Sequence, residues 1–407
     1  MNDNKSIHPK VLIAVTNIEI GGGAEKVATT VGNEFLKRCI KTTLLTFYTT
    51  TREHQFNGKR VSMHEATPAS VFGKLPRALG RIFAVKRVCN EEKIDLIISF
   101  LEESNYYVLL SKLLLFNKTP MIVSVRNDLQ NYSWLYKLLI RLLYPLAHKI
   151  VAVTKGVERD LRENYGLKNV TTIYNPVDLG TVKNKALEPL PADYQWLKDR
   201  RPLGISIGRL TKQKGQWHMI RAFAEVKKSI PEATLVILGD GPYRSRLHKL
   251  ILDCGLHDSV FLLGKHKNVY PFLAAADLFL FSSVWEGMPN TMLEALSVGL
   301  PVVAADCGGG PREILAPEYA ESRPSSYPYS GRSGILTAPL YGEPIFQAPS
   351  AVPLSDAERA FAGAVMEKLT RISQQKSIEE QLKLGALAIE PFALAKIISE
   401  WEALTKS

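Results

Sequence analysis

Short runs of apolar, largely β-branched residues recur along this chain at intervals wide enough to hold a helix, and the series stops once and restarts. The first series is KVLIAVTN (10–17), KTTLLTF (41–47), DLIISF (95–100), MIVSV (121–125), KIVAVT (149–154) and VTTIYNPVD (170–178), the last closed by an Asn-Pro turn. The second is LGISIGRL (203–210), TLVILGDG (234–241), VFLLG (260–264), LFLFSS (278–283) and PVVAAD (301–306), with helical patterns between the runs. Strands that are apolar on both faces need helices on both faces, which is the habit of parallel sheets. The predicted fold class is therefore α/β, with two Rossmann-like doubly wound domains, 1–180 and 201–391, separated by a linker at 179–200. Open sheets of this kind bind ligands beyond the carboxyl ends of their strands, so the ligand is expected in a cleft that both domains face.

The totals agree with this division. A chain of 407 residues exceeds what one ordinary core organises, and 46% apolar with 22% charged residues describes a globular protein. No run of 18 apolar residues free of charge occurs, and the start, MNDNKSIHPKVLIAVTN, lacks the pattern of a signal peptide. Cys39, Cys89, Cys254 and Cys307 are scattered without a CxxC pair, which suggests neither a zinc site nor a disulfide framework; a reducing cytoplasm is expected. Charge is uneven: residues 1–180 hold 25 Lys+Arg against 16 Asp+Glu, the remainder 26 against 24. An excess confined to one half points that half toward an anionic partner. Residues 317–353 carry seven prolines and read as an irregular surface stretch, after which two helices finish the chain.

Five strand-to-helix turns could carry chemistry. EIGGGAEK (19–26) puts glycines, Gly22 and Gly23 among them, between a first strand and a first helix, where backbone can approach a phosphate; Lys26 breaks the dinucleotide fingerprint. SIGRLTKQKGQ (206–216) holds Arg209 and Lys214 in a loop opened by Gly208 and closed by Gly215, and the two cations together could hold a diphosphate without a metal. Either basic residue alone would read as a solvated charge. LGDGPYR (238–244) is a tight turn that packing alone explains. In GKHKNVYPFL (264–273), backbone near Lys267, Asn268 and Val269 is placed to meet a nucleotide base. In WEGMPNTMLEALSVGLP (285–301), Gly287 relieves a turn and Pro289 suits the first helical position, leaving N–H groups of Met288, Asn290 and Thr291 at a helix start that attracts an anion. Glu286 before it and Glu294 one turn inside suit hydroxyls rather than phosphate, so sugar on one side and ribose on the other describe a nucleotide sugar.

Arg209, Lys214, Glu286 and Glu294 in this order, after an early GGG, resemble the retaining glycosyltransferases of family four with GT-B fold, over nearly the whole chain. The resemblance implies that Arg209 and Lys214 bind the donor diphosphate and that the Gly22–Gly23 turn approaches it. It implies too that Glu286 holds the donor sugar, with Gly287, Met288, Pro289 and Asn290 beside it, and that Glu294 holds the ribose. No divalent metal or other cofactor is implied, since the cations and the helix start neutralise the leaving diphosphate. The last helix, about 392–407, would complete the N-terminal, acceptor-binding domain. Many members carry a histidine where SVRNDLQN (124–131) places Arg126. A polysaccharide-assembly subgroup has Ser-Glu-Arg-Asn there, and this chain is closest to it. Arg126 stays protonated and cannot be a base, but could bind phosphate or position an acceptor. Glu102, in FLEESN, and Asp128 are alternative polar residues expected to face the cleft, each equally readable as a solvated loop residue.

Peripheral contact with an anionic membrane is a further expectation. KLPRALGRIFAVKR (74–87) and WLYKLLIRLL (134–143) mix basic with large apolar residues; Leu135, Leu138, Leu139 and Leu142 share a helical face. Such a stripe more commonly faces a core. The chain is thus expected to move a hexose or N-acetylhexosamine from a nucleotide diphosphate sugar, a UDP-sugar first, to a glycan or polyprenyl-linked lipid acceptor, at the cytoplasmic face of the membrane. A nucleotide-sugar 2-epimerase of the same fold and a non-catalytic glycan-assembly subunit are the alternatives. No nucleic-acid recognition motif accompanies the charge.

Overall fold

A computed structural model describes residues 9–19, 22–50, 52–65, 74–129, 132–371 and 377–406. The chain divides into two compact units, Met1–Pro176 with Ala395–Ser407, and Val177–Leu394.

The first unit is built on seven parallel strands: β1 (Val11–Val15), β2 (Thr42–Tyr48), β3 (Lys59–Glu65), β4 (Leu96–Phe100), β5 (Met121–Val125), β6 (Lys149–Ala152) and β7 (Val170–Thr172), in the order β3-β2-β1-β4-β5-β6-β7. Every residue of β1, β4 and β5 is buried, as the continuous apolar runs require. The order reverses between β1 and β4, so the loops that leave those two strands diverge and open a crevice at the carboxyl edge. Strand β3 is absent from the sequence reading. Its residues, KRVSMHE, are charged and polar because it is the sheet's edge, where Lys59 bonds Glu92 at 2.7 Å. The helix Leu394–Ala403 brings Trp401, fully buried, to 5.4 Å from the ring of Phe100, while Arg38 bonds Glu402 at 2.8 Å.

The second unit holds β8 (Leu203–Ile207), β9 (Thr234–Leu238), β10 (Val260–Gly264), β11 (Leu278–Phe281), β12 (Val302–Ala305), β13 (Tyr329–Gly331) and β14 (Gly334–Thr337), ordered β10-β9-β8-β11-β12-β14-β13. All pairs are parallel except β13 with β14. Three expectations are corrected by this unit and the helices that follow it. The proline-rich stretch is not simply irregular: β14 lies in it, pairs with β12 and buries Ile335 and Leu336 completely. Gly334 is needed there, since a Cβ would overlap the Val302 carbonyl oxygen. Residues 179–200 are not a bare linker either; Asp178 caps the helix Leu179–Ala186, and a 3-10 helix follows at Ala192–Asp199. Three helices rather than two finish the chain, because Ile378–Ala388 stands between Asp356–Thr370 and Leu394–Ala403.

Buried charge explains why a proline-rich stretch takes one course. Arg221, wholly buried in the helix Gln216–Ser229, donates to the carbonyls of Gln347, Val352 (2.9 Å) and Pro353 (3.0 Å) and to Glu358 at 2.9 Å. Glu358 also meets His218 Nδ1 at 2.8 Å and completes a capping box with Ser355. Burial alone would raise the Glu358 carboxyl, but the hydrogen bonds from His218 and Arg221 outweigh it and bring it down to about 2. A carboxyl depressed in the folded state stabilises above its ordinary value, and that contribution fades as pH falls toward the folded one. Glu358→Gln is therefore expected to cost on the order of 2 kcal/mol at neutral pH. In urea unfolding at a series of pH values, the gap from wild type should close as pH falls from 4.5 toward about 2. A gap independent of pH would refute this account.

Candidate active site

At the carboxyl edge of the second sheet, three turns press backbone against backbone. Gly239, at φ 138°, ends β9 where a Cβ would overlap the Gly208 carbonyl oxygen after β8. Gly215, at φ 59°, lies where a Cβ would overlap the Ser282 carbonyl oxygen after β11. Gly310 donates its N–H to the Gly287 oxygen at 2.9 Å, and a Cβ on it would strike that oxygen and Pro289. Glycine is thus a steric requirement at each approach. The Lys212–Lys214 turn is further tied to the next loop: Val284 N–H donates to the Gln213 carbonyl at 2.8 Å and Ser282 Oγ to the Lys214 carbonyl at 3.0 Å.

This stitching brings Lys214 and Glu286, expected to take different parts of a ligand, into direct contact. Lys214 Nζ bonds Glu286 Oε1, with side chains 17% and 10% exposed, and Ser283 Oγ donates to the same oxygen at 3.2 Å. An ammonium carries three donors, so the pairing leaves Lys214 capacity for an anion. Arg209, by contrast, is exposed, and its guanidinium makes no hydrogen bond or ion pair among the described residues. Arg209 is thus an unpaired cation in the same loop as Lys214.

The other expected donor residues are placed as follows. Pro289 is the cap of the helix Asn290–Ser297 rather than its first residue. Met288 is buried, Asn290 is half-buried, and neither is without a partner. Thr291 Oγ1 is buried with no partner. Glu294 sits half-buried one turn into that helix. Asn268 has its side chain committed elsewhere: it donates to the Lys185 carbonyl at 3.0 Å and to Glu188 at 2.8 Å, and it accepts from Tyr270 N–H at 3.1 Å. Only backbone at Asn268 and Val269 remains for a base. The turn Gly308–Gly310 after β12 was not singled out in the sequence, although CGGGPRE (307–313) repeats the signal of the GGG after β1, a glycine run between strand and helix.

In the first unit, Gly22 precedes the helix Gly23–Lys37, and Gly21 lies outside the described residues. A Cβ on Gly22 would overlap the Glu25 carboxylate, so an anion of the chain's own already sits over this helix start. Across the strand-order reversal, Leu101 holds φ 73° without being glycine, a costly conformation of the kind that gathers at functional sites. It delivers Glu102 as the first residue of the helix Glu102–Leu115 with only 7% exposure, which corrects the solvated-loop alternative for Glu102. Burial pushes the Glu102 carboxyl up, opposed by hydrogen bonds from Tyr132 and Asn127 and by the charge of Arg126. Arg126, 6% exposed, is pulled down to about 9 by burial, against the favourable charge of Glu102. Its guanidinium bonds Asn175 Oδ1 and Ser124 Oγ (3.3 Å) and lies 5.8 Å from the centre of the Phe100 ring. Asp128 is half-buried and partnered; Gln130 and Asn131 of the same stretch lie outside the described residues.

Three of the four leucines in the stripe of Trp134–Leu143 face away from the core, while Leu139 is half-buried and packs against it. Leu135, Leu138 and Leu142 are exposed, as are Trp134 (76%) and Tyr136, while Ile140 and Leu143 are the buried positions. All exposed large apolar side chains of the first unit's described residues lie on this helix, on Lys74–Glu92, or at the end of Glu102–Leu115 and its cap Phe116. These helices join β3 to β4, β4 to β5 and β5 to β6, crossovers that run the same way across the sheet; right-handed connection puts all three on one face. Among the described residues no helix is long and apolar enough to cross a membrane.

Comparison with known proteins gives a consistent result. Residues 194–322 match the family model described as Glycosyl transferases group 1, and residues 21–181 match Glycosyltransferase Family 4. The chain is 36% identical over 341 residues to an uncharacterized glycosyltransferase of Methanocaldococcus jannaschii, covering 81% of this chain and 83% of that one. It is 34% identical over 273 residues to the N-acetylgalactosamine-N,N'-diacetylbacillosaminyl-diphospho-undecaprenol 4-alpha-N-acetylgalactosaminyltransferase of Campylobacter jejuni, covering 65% and 71%. Among solved structures, Anabaena HepE in complex with UDP-glucose superposes with a TM-score of 0.71 at 18% identity, over 98% of this chain and 100% of that one.

The close approaches make a direct prediction. Gly310→Ala should lower the unfolding free energy of the second unit by about 1–3 kcal/mol, the usual cost of forcing atoms into a packed site. Gly308→Ala meets no neighbouring atom but inherits a φ of 79°, so its cost should come from backbone strain alone. Denaturant unfolding followed by a probe in the second unit would test this; an unchanged midpoint for Gly310→Ala would contradict the packing described.

Proposed function

Because this chain belongs to glycosyltransferase family 4 and has the GT-B fold of two Rossmann-like domains, we propose that it transfers a hexose or N-acetylhexosamine from a nucleotide diphosphate sugar, with UDP the first base to test, to a glycan or polyprenyl-linked acceptor with retention of anomeric configuration. The observation that carries this reading is the Lys214–Glu286 pair, with an exposed, unpaired Arg209 in the loop that carries Lys214. The site has spare positive charge for a diphosphate and a carboxylate whose second oxygen can accept from a sugar hydroxyl. Glu294, one turn further along, takes the ribose.

In this reaction the bond between the donor's anomeric carbon and the phosphate oxygen breaks as the acceptor hydroxyl attacks the same face. The hydroxyl proton leaves on the departing phosphate oxygen. Arg209 and Lys214 offset the charge that builds on the diphosphate, aimed where it develops, so the reading requires no divalent metal. Arg126, protonated at neutral pH, positions substrate rather than moving a proton. The lipid-linked acceptor named for the Campylobacter relative supports a polyprenyl diphosphate acceptor here and, with it, a place at the cytoplasmic membrane face in the assembly of a cell-surface polysaccharide, lipopolysaccharide or capsule among them.

The membrane contact has its own support. The segment 74–149 holds 12 Lys+Arg against 6 Asp+Glu, and its helices expose Phe83, Trp134, Leu138 and Leu142. Apolar side chains beside excess positive charge suit an anionic leaflet.

Purified protein with UDP- and GDP-sugars and membrane lipid extract tests the central reading. Nucleotide diphosphate release that depends on extract and survives a chelator is expected, whereas 2-epimer formation without acceptor would sink it. Arg209→Ala should lower turnover by about 100-fold or more, as loss of a transition-state donor does. Its stability should stay within about 0.5 kcal/mol of wild type, since the side chain is exposed and unpartnered. For the membrane, flotation with anionic vesicles should weaken in high salt and in Trp134→Ser/Leu142→Ser; indifference to both would refute the contact.

A further inference from the structure

We propose that Glu102 and Arg126 form a subsite for a neutral hydroxyl of the acceptor sugar, an assignment that rests on the transferase reading above. Strands β4 and β5 pair Phe100 with Ser124, and each charged residue stands two positions beyond its member of that pair, on the carboxyl edge beside the crevice between β1 and β4. Both are more than nine-tenths buried. They stand just beyond neighbouring strands and carry opposite charge, yet no ion pair joins them.

The partners they do have leave the account open on both sides. Arg126 bonds only neutral groups, Ser124 and Asn175. Glu102 Oε1 is buried without a hydrogen bond, as are Ser104 Oγ and Asn105 Oδ1 in the same turn, while nearby Asn127 donates to the Tyr132 hydroxyl at 3.3 Å. Unmet polar atoms at this density are expensive in a protein interior, and the strained Leu101 adds to the cost of holding Glu102 there. A touching Arg–Glu pair would relieve both charges at once; this arrangement keeps them apart.

The chemistry of the missing partner follows from what each side lacks. It must donate to a carboxylate and accept from a guanidinium. A hydroxyl does both. A phosphate or carboxylate would satisfy Arg126 but bring Glu102 no donor, and an ammonium would bring Arg126 no acceptor. The subsite therefore takes the sugar end of an acceptor and rejects its diphosphate.

Isothermal titration of the full chain, in the presence of UDP, with octyl N-acetyl-α-galactosaminide and its monodeoxy analogues reads this directly. One monodeoxy analogue should bind wild type at least ten-fold more weakly than the parent, the effect of losing a hydrogen bond to a charged group. In Glu102→Gln that ratio should fall to within about two-fold, while a residue that merely supports the fold would weaken parent and analogue alike. Should Glu102→Gln fail to fold, Arg126→Lys keeps the charge without the planar fork and should lower the same ratio. An unchanged ratio, or wild type that binds no glycoside or favours none, overturns the subsite. Donor turnover by wild type, measured separately, reports on the transferase reading whichever way the titration falls.

Discussion

The second unit's chemistry depends on backbone meeting backbone at the carboxyl ends of its strands. Gly239 lies against Gly208, Gly215 against Ser282, and Gly310 against Gly287, each at a separation that a single methyl group would close. Because these loops are locked to one another, the side chains they carry have little freedom in where they point. Lys214 is delivered to Glu286 by that locking, and the ion pair is a consequence of the turns rather than their cause. Removing one partner of so enclosed a pair would leave an uncompensated charge, which costs more than the pair's net contribution to stability suggests.

The first unit solves a different problem at the same edge of its sheet. There the charges are deeper, the partners are neutral, and the chain accepts a left-handed leucine to put Glu102 where it is. Groups left short of hydrogen bonds lower stability, so the surrounding sheet must supply the excess; β1, β4 and β5, buried along their whole length, are the strands that flank the strain. Rigid, over-determined packing beneath and under-satisfied polar atoms above are what allow a binding site to be prepared before its ligand arrives.

The sequence made most strands legible because parallel strands buried on both faces leave an uninterrupted apolar signature. It failed where that condition fails. Strand β3 is an edge strand with Lys59 and Arg60 in it, and β14 is four residues, beginning with a glycine, inside a stretch dense in proline. Its course is set by Arg221, Asp306 and Arg312, the last two paired at 2.9 Å, from residues distant in sequence or hidden in turns. The site divides in the same way. Motif spacing pointed to Arg209, Lys214, Glu286 and Glu294, but the contact between Lys214 and Glu286 depends on tertiary locking that spacing does not encode. Glu102 was readable either as a polar residue facing the cleft or as a solvated loop carboxylate, since nothing local announces that a strained turn will bury it.

The leucine stripe of Trp134–Leu143 shows where periodicity stops being informative. A helix of this pattern can lay its apolar face on a sheet or on a lipid surface, and the two give the same spacing. The register against the sheet decides between them: Ile140 and Leu143 take the core, which forces Leu135, Leu138 and Leu142 outward. Exposing that much apolar surface costs solubility in water, and neighbouring helices on the same face compound the exposure with Phe83 and Leu113 rather than covering it. Basic residues interspersed with these side chains oppose self-association by like-charge repulsion while favouring an anionic surface. Exposed apolar side chains among basic residues are what the proposed contact with an anionic leaflet would use.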